Sequence, residues 1–107
     1  MDGSSIKILK TKDSADFNKS VIKVGTDWCS ACKKTAPTYE KLATKYTKKG
    51  IRFYEINAER SYESKTLKKL AAQTQAYPTF YFFKDRELVN TMSGLKVDKF
   101  VEYLNRL

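Results

Sequence analysis

The chain has 107 residues, 41% of them apolar and 13% aromatic, which suits one domain (residues 1–107) with its own core and excludes a disordered chain or two full domains. Lys and Arg outnumber Asp and Glu by 21 to 12, a net charge of +9 that draws acidic partners at low salt; the lysines are scattered, however, and with no nucleic-acid motif a nucleic-acid partner is not expected. Two cysteines and no histidine leave little support for a disulfide framework or a four-ligand zinc site, so redox chemistry is the use that remains for the thiols.

In chain order, Met1-Asp2-Gly3-Ser4-Ser5 has neither a basic n-region nor an apolar h-region, and no later run is long enough to span a bilayer. Both features point to a cytoplasmic protein with no membrane partner. Residues 6–11 alternate apolar and polar side chains and predict a short, peripheral strand. Asp13 or Ser14 is placed to cap a short helix that carries Phe17 inward and ends near Lys19. Residues 21–26 are rich in β-branched side chains and read as a second strand. A long helix follows over residues 30–49, with Ala36, Tyr39, Leu42, Ala43 and Tyr46 at helical spacing, Gly50 as its stop and Pro37 bending it.

Residues 51–57 form a third strand, and residues 63–74 a helix buried through Leu67, Leu70 and Ala71. Residues 79–84 and 88–92 make a hairpin around Asp85-Arg86-Glu87, and after a turn at Gly94 residues 97–107 form a last amphipathic helix. The order β-α-β-α-β-α-β-β-α predicts an α/β fold: a mixed sheet of five strands flanked by four helices on its two faces.

The chemistry concentrates in Trp28-Cys29-Ser30-Ala31-Cys32-Lys33, at the junction of the second strand with the long helix. Residues three apart in a first helical turn share a face, so Cys29 and Cys32 are placed to close a disulfide there. Unpaired N–H groups and the positive end of the helix dipole favour a thiolate at the same place, which makes Cys29 the candidate nucleophile.

Nearly the whole chain resembles the thioredoxin family: Trp28-Cys29-x-x-Cys32-Lys33, Ala36-Pro37 inside the following helix, Pro78-Thr79 leading an apolar strand that ends Phe83-Lys84, and Gly94 before the last helix. The resemblance implies the thioredoxin fold and thiol–disulfide exchange with disulfide-containing protein substrates, by a monomer, most simply as a protein-disulfide reductase. Cys29 would attack, Cys32 would resolve the mixed disulfide, and an upstream reductase or oxidant would reset the pair. No cofactor is implied beyond the Cys29–Cys32 disulfide, and no metal. The resemblance also implies a cis bond before Pro78 and a substrate-binding surface of Trp28, Tyr77, Pro78, Thr79 and Gly94. Tyr77 stands where the family carries a smaller aliphatic residue; it either narrows substrate choice or simply packs on the surface.

Other departures concern the chemistry itself. Ser30-Ala31 replaces the usual Gly-Pro, which restores an N–H that could point at Cys29 and predicts a lower thiolate pKa and a more oxidising couple. An oxidase or isomerase is the alternative this favours, and a redox-inert binding module is another. Lys23 occupies the family's buried-carboxylate position beneath the second cysteine, and Glu55 that carboxylate's lysine partner. Either the two form an ion pair of reversed polarity, or the register is off by one and both reach solvent. If paired, Glu55 could take the Cys32 proton, in which case Glu55→Gln slows resolution, or Lys23 could stabilise the Cys32 thiolate directly. Arg86 replaces a hairpin glycine and implies a different turn type, while Gly25 replaces an aromatic residue and leaves space near Trp28. Along the long helix, Lys33 and Lys34 either select acidic partners and lower the Cys29 pKa or belong, with Lys41, Lys45 and Lys48, to a solvated face.

Overall fold

A computed structural model describes residues 4–107; of the N-terminal stretch read for a leader, residues 1–3 lie outside the described residues. Five strands, β1 (Ile6–Ile8), β2 (Lys19–Gly25), β3 (Arg52–Asn57), β4 (Thr79–Lys84) and β5 (Glu87–Ser93), form one sheet in the order β1-β3-β2-β4-β5. Three helices, α1 (Ser30–Thr47), α2 (Lys65–Gln73) and α3 (Val97–Asn105), complete the fold among the described residues. Strands β1 and β2 both run parallel to β3, whereas β4 is antiparallel to β2 and to β5, so the sheet is mixed. Helix α1 makes the crossover between the parallel strands β2 and β3, α2 links β3 to the antiparallel β4, and a tight hairpin joins β4 to β5.

The helix expected after Asp13 is absent, which leaves three helices rather than four. Side chains instead bond the backbone of this segment locally. The Asp13 carboxylate accepts from the Lys10 N–H at 2.7 Å, the Asp16 carboxylate from the Asn18 N–H at 2.9 Å, and the Asp16 N–H donates to the Tyr54 hydroxyl at 2.9 Å. Short polar side chains that bond locally compete with helix formation. Phe17 still turns inward, edge-on to Phe83 with ring centroids 4.8 Å apart.

Strand β2 lies at the centre, and its alternation assigns the two cores. Val21 packs on the side of α1 and α3 with Tyr39, Phe53, Phe80, Phe82 and Phe100. Ile22 and Val24 face the other way, onto Leu67 and Leu70 of α2. Each fully buried aromatic or aliphatic side chain contributes about 1.5–3 kcal/mol of transfer free energy, so both faces of β2 hold the sheet. The same alternation sends Lys23 to the α1 side, where its ammonium stands 5.8 Å from the centre of the Tyr39 ring.

At the far end, the β4–β5 connection is a two-residue turn rather than the three residues expected, with Asp85 and Arg86 at φ of 51° and 70°. Two successive left-handed residues match the twist of a hairpin. The Asp85 and Arg86 N–H groups donate to the carbonyls of Asn18 and Phe17 at 2.7 and 3.0 Å, and these bonds hold the turn against the segment leading into β2.

Candidate active site

The cysteine pair sits where β2 ends and α1 begins. Cys29 is the N-cap of α1 and is disulfide-bonded to Cys32, with Cα atoms 5.3 Å apart. The Cys32 N–H donates to Cys29 Sγ at 3.0 Å, one of the N–H groups that a helix start leaves without a backbone partner. This corrects one sequence-based expectation, since the N–H aimed at Cys29 belongs to Cys32 and a proline at position 31 would not remove it. Both cysteines are 6% exposed.

In front of the pair stand Trp28 and the turn before β4. Trp28 is 66% exposed, donates its indole N–H to the Glu59 carboxylate at 3.0 Å and meets the Tyr77 ring edge-on at 6.0 Å between centroids. Tyr77 is partly buried and donates its hydroxyl to the Thr74 carbonyl at 3.3 Å, so that hydroxyl is engaged within the chain. The Tyr77–Pro78 bond is cis. The turn is tied to β5 by the Gly94 N–H, which donates to the Pro78 carbonyl at 2.7 Å; Gly94 has φ of 72°, a conformation that favours glycine. Thr79 is buried, and its hydroxyl donates to the Ala76 carbonyl at 2.7 Å.

Behind the pair the side chains are charged. Lys23 and Glu55 are register partners in β2 and β3, with Lys23 Nζ 3.7 Å from Glu55 Oε1. Lys23 is 3% exposed overall, whereas the Glu55 side chain is 37% exposed and reaches toward solvent. A Cβ at Gly25 would stand 3.0 Å from Cys32 Sγ and 3.9 Å from Lys23 Cε. The space left by the missing aromatic residue therefore lies against Cys32 and Lys23 rather than Trp28.

A cavity of about 170 Å³ opens at this point, lined among others by Lys23, Gly25, Thr26, Cys32, Glu55 and Asn57. Thr26 Oγ1 is buried there without a hydrogen-bond partner among the described residues. Nearby, Tyr39 donates its hydroxyl to the Tyr54 carbonyl at 2.9 Å. Burial first, and then the Glu55 and Glu40 carboxylates, push its phenol well above the ordinary tyrosine range, against the opposing effect of that hydrogen bond.

Sequence reasoning missed Glu59, Asp27 and Asn57, whose contacts brace this end of the fold. Asn57 donates from its amide to the Asp27 carboxylate at 3.0 Å and accepts the Glu59 N–H at 2.8 Å, so the loop after β3 supports the loop that carries Trp28. Polar residues at matching ends of two paired strands were the available signal. The exposed Lys33 and Lys34 follow the pair on α1. Among the described residues no group of three or more His, Cys, Asp or Glu side chains could hold a metal ion, and no helix is long and apolar enough to cross a membrane.

A dithiol–disulfide pair at a helix start can accept or give two electrons by thiol exchange. The thioredoxin family model matches residues 9–106. Thioredoxin Asp f 29 of Aspergillus fumigatus is 32% identical over 90 residues, 82% of this chain and 76% of that protein. A chloroplastic F-type thioredoxin of Spinacia oleracea is 37% identical over 82 residues, 77% of this chain but 40% of that protein, and the chain thus spans less than half of that relative's length. The short form of spinach chloroplast thioredoxin f superposes with a TM-score of 0.75 at 29% identity, covering 99% of this chain and 97% of that one. A thioredoxin f2 solved in complex with ferredoxin:thioredoxin reductase shares the fold at 22% identity and a TM-score of 0.75, covering 96% of each chain. With its Cys29–Cys32 pair in place at the start of α1, the chain belongs to the thioredoxin family of thiol–disulfide oxidoreductases.

Proposed function

We propose that the protein reduces disulfides in other proteins. The observation that carries this reading is the Cys29–Cys32 pair at the N-terminus of α1, with the Cys32 N–H on Cys29 Sγ and an exposed Trp28 beside it. In the reduced protein the Cys29 thiolate attacks one sulfur of a substrate disulfide; a mixed disulfide forms and the other substrate sulfur leaves as a thiolate. Cys32 loses its proton and attacks Cys29 Sγ, which releases the second substrate thiolate and leaves Cys29–Cys32 oxidised. Two electrons reach the substrate, and its two thiolates take up protons from solvent.

Trp28, Tyr77, Pro78, Thr79 and Gly94 are the surface on which we place the substrate chain, and the exchange uses no cofactor beyond the two sulfurs. A second turnover requires a reductase that returns two electrons to Cys29–Cys32. The complex known for a thioredoxin f2 with ferredoxin:thioredoxin reductase is a precedent in a protein of the same fold. A reducing compartment such as the cytoplasm suits this direction of transfer.

The test is reduction of a protein disulfide by the purified protein with a dithiol as electron donor, run beside the redox potential of the Cys29–Cys32 couple. Catalysed reduction and a potential below that of common protein-disulfide oxidants support the reductase. A strongly oxidising potential with catalysed disulfide formation would replace it with the oxidase, and inactivity in both assays would leave a binding module.

A further inference from the structure

The charge beneath the cysteine pair differs in kind from its surroundings. Lys23 is an ammonium between the apolar Ile22 and Val24 of the central strand, 3% exposed, and its one ion-pair partner among the described residues lies 3.7 Å away with a partly solvated side chain. Replacing a buried ion pair by apolar side chains of similar volume is often neutral or stabilising, so stability gives little reason for the lysine to be there. Its position does. Lys23 Cε and Cys32 Sγ approach the point above Gly25 to 3.9 and 3.0 Å, and because Gly25 has no side chain nothing on that residue stands between them. All three residues line the same cavity, together with Thr26, whose buried Oγ1 is unpartnered among the described residues. The cavity, about 170 Å³ with both apolar and polar groups in its wall, has room for water held by the polar ones.

We infer that Lys23 stabilises the thiolate of Cys32, and that the proton of Cys32 leaves through this rear cavity. The inference rests on the reading of Cys32 as the resolving thiol. At the mixed-disulfide stage the Cys32 S–H ionises, its proton passes to water in the cavity and on to solvent, and the Lys23 ammonium offsets the negative charge left on sulfur. The thiolate then attacks Cys29 Sγ, forming the Cys29–Cys32 bond and breaking the bond to the substrate sulfur, which departs with the electron pair.

Every other ionisable group facing this point is less suited to the task. Glu55 on β3 and Glu40 on α1 are carboxylates, which oppose a thiolate by charge. Asp27, at the end of β2, is engaged by Asn57 and carries the same unfavourable sign. Arg60 lines the cavity from the loop after β3, but it is exposed and its charge meets solvent. Tyr62 accepts the Asn57 N–H at 2.8 Å, and Tyr39 donates its hydroxyl to the Tyr54 carbonyl. Cys29 is bonded to substrate at this stage. Lys23 is the buried cation among them, and Glu55 limits its effect by sharing its charge.

The experiment is alkylation of Cys32 by iodoacetamide as a function of pH in a Cys29→Ser background, with resolution of a mixed disulfide timed separately in proteins that keep both cysteines. Lys23→Met should raise the midpoint for Cys32 by about one pH unit and slow alkylation near neutral pH about tenfold, since one unit is a factor of ten in thiolate population. Lys23→Arg should restore the midpoint. Glu55→Gln should leave it in place or lower it, with resolution no slower than in the parent protein. Should the methionine variant fail to fold, Lys23→Gln makes the same measurement with a side chain able to hydrogen-bond Glu55.

An unchanged midpoint in a folded Lys23→Met or Lys23→Gln protein would overturn the inference. So would a Glu55→Gln variant that raises the midpoint and slows resolution, because that result makes the carboxylate the proton acceptor. The alkylation assay needs no protein substrate: a shifted midpoint in a protein that reduces no protein disulfide sinks the reductase reading alone, and an unmoved one in an active reductase sinks the role of Lys23 alone.

Discussion

The front and the rear of the cysteine pair are built from opposite materials. In front, Trp28 is 66% exposed and leans on Tyr77 beside the turn at Pro78, a surface of aromatic and backbone groups. To the rear, Lys23 is 3% exposed and faces a cavity with charged groups in its wall, lined by Cys32 but not by Cys29. The contrast teaches that the two thiols answer to different surroundings. Cys29 follows the exposed Trp28 in the chain, whereas Cys32 lies against the charged rear cavity beside β2 and β3. Substitutions in front should therefore alter which disulfides are recognised, and substitutions to the rear should alter the second step and, through packing, stability.

The largest effect comes from the thiols themselves. Cys29→Ser should abolish reduction of a protein disulfide down to the uncatalysed background, because no nucleophile remains. Cys32→Ser should also stop turnover, yet it should accumulate a covalent complex with substrate that non-reducing electrophoresis displays and added dithiol dissolves. Equal and complete silence from both variants, without a trapped complex, would erase the distinction between the two cysteines.

Next in size is Gly25→Ala. The added Cβ would stand 3.0 Å from Cys32 Sγ, so the sulfur or the strand must give way. Overpacking of this kind costs about 1–3 kcal/mol, read as a lower urea midpoint. Resolution by Cys32 should slow while the first attack by Cys29 keeps its rate, and equal slowing of both steps would show that front and rear are mechanically one unit.

In front, Trp28→Ala removes an edge-on aromatic contact with Tyr77, worth about 0.5–1.5 kcal/mol in a buried setting and less where the ring is exposed. Stability should change little, and the KM for a protein disulfide should rise several-fold while the rate with a small disulfide reagent is preserved. Loss with both substrates alike would mean that Trp28 holds Cys29 in place rather than receiving the partner.

How much of this could be read from the chain follows the same division. The cysteine pair and the strands follow from local pattern, whereas the pairing of Lys23 with Glu55 was one of two open readings, because β2 is buried on both faces and its continuous apolar run fixes no register by alternation. The helix expected after Asp13 failed because Asp13 and Asp16 spend their carboxylates on nearby N–H groups, a local competition that capping residues also signal. Arg86 hid a left-handed turn normally marked by glycine or asparagine, and its N–H bonds to the Phe17 carbonyl in the segment leading into β2, far away in sequence. The contact of Gly25 with Cys32 was invisible for a different reason. It arises from how α1 sits on β2, and the absence of a side chain names no neighbour.

The smallest expected effect lies deepest behind the pair, at Tyr39. Its hydroxyl donates to the Tyr54 carbonyl at 2.9 Å, and Tyr39→Phe should cost about 0.5–1.5 kcal/mol near neutral pH for that one bond. Alkaline solution separates the two proteins further. Burial, and then the Glu55 and Glu40 carboxylates, hold the folded phenol well above the ordinary tyrosine range, so the folded chain keeps its proton where the unfolded chain has lost it. The contribution is therefore intact below the unfolded pKa of about 10 and is lost as pH rises from there toward the folded value. Urea midpoints above pH 10 should fall more steeply for the parent than for Tyr39→Phe, and the gap between them should narrow. Glu55→Gln should also flatten the parent's alkaline decline by removing one of the carboxylates that disfavour the phenolate; an unchanged slope would place Glu55 electrically closer to solvent than to the buried face it shares with Lys23.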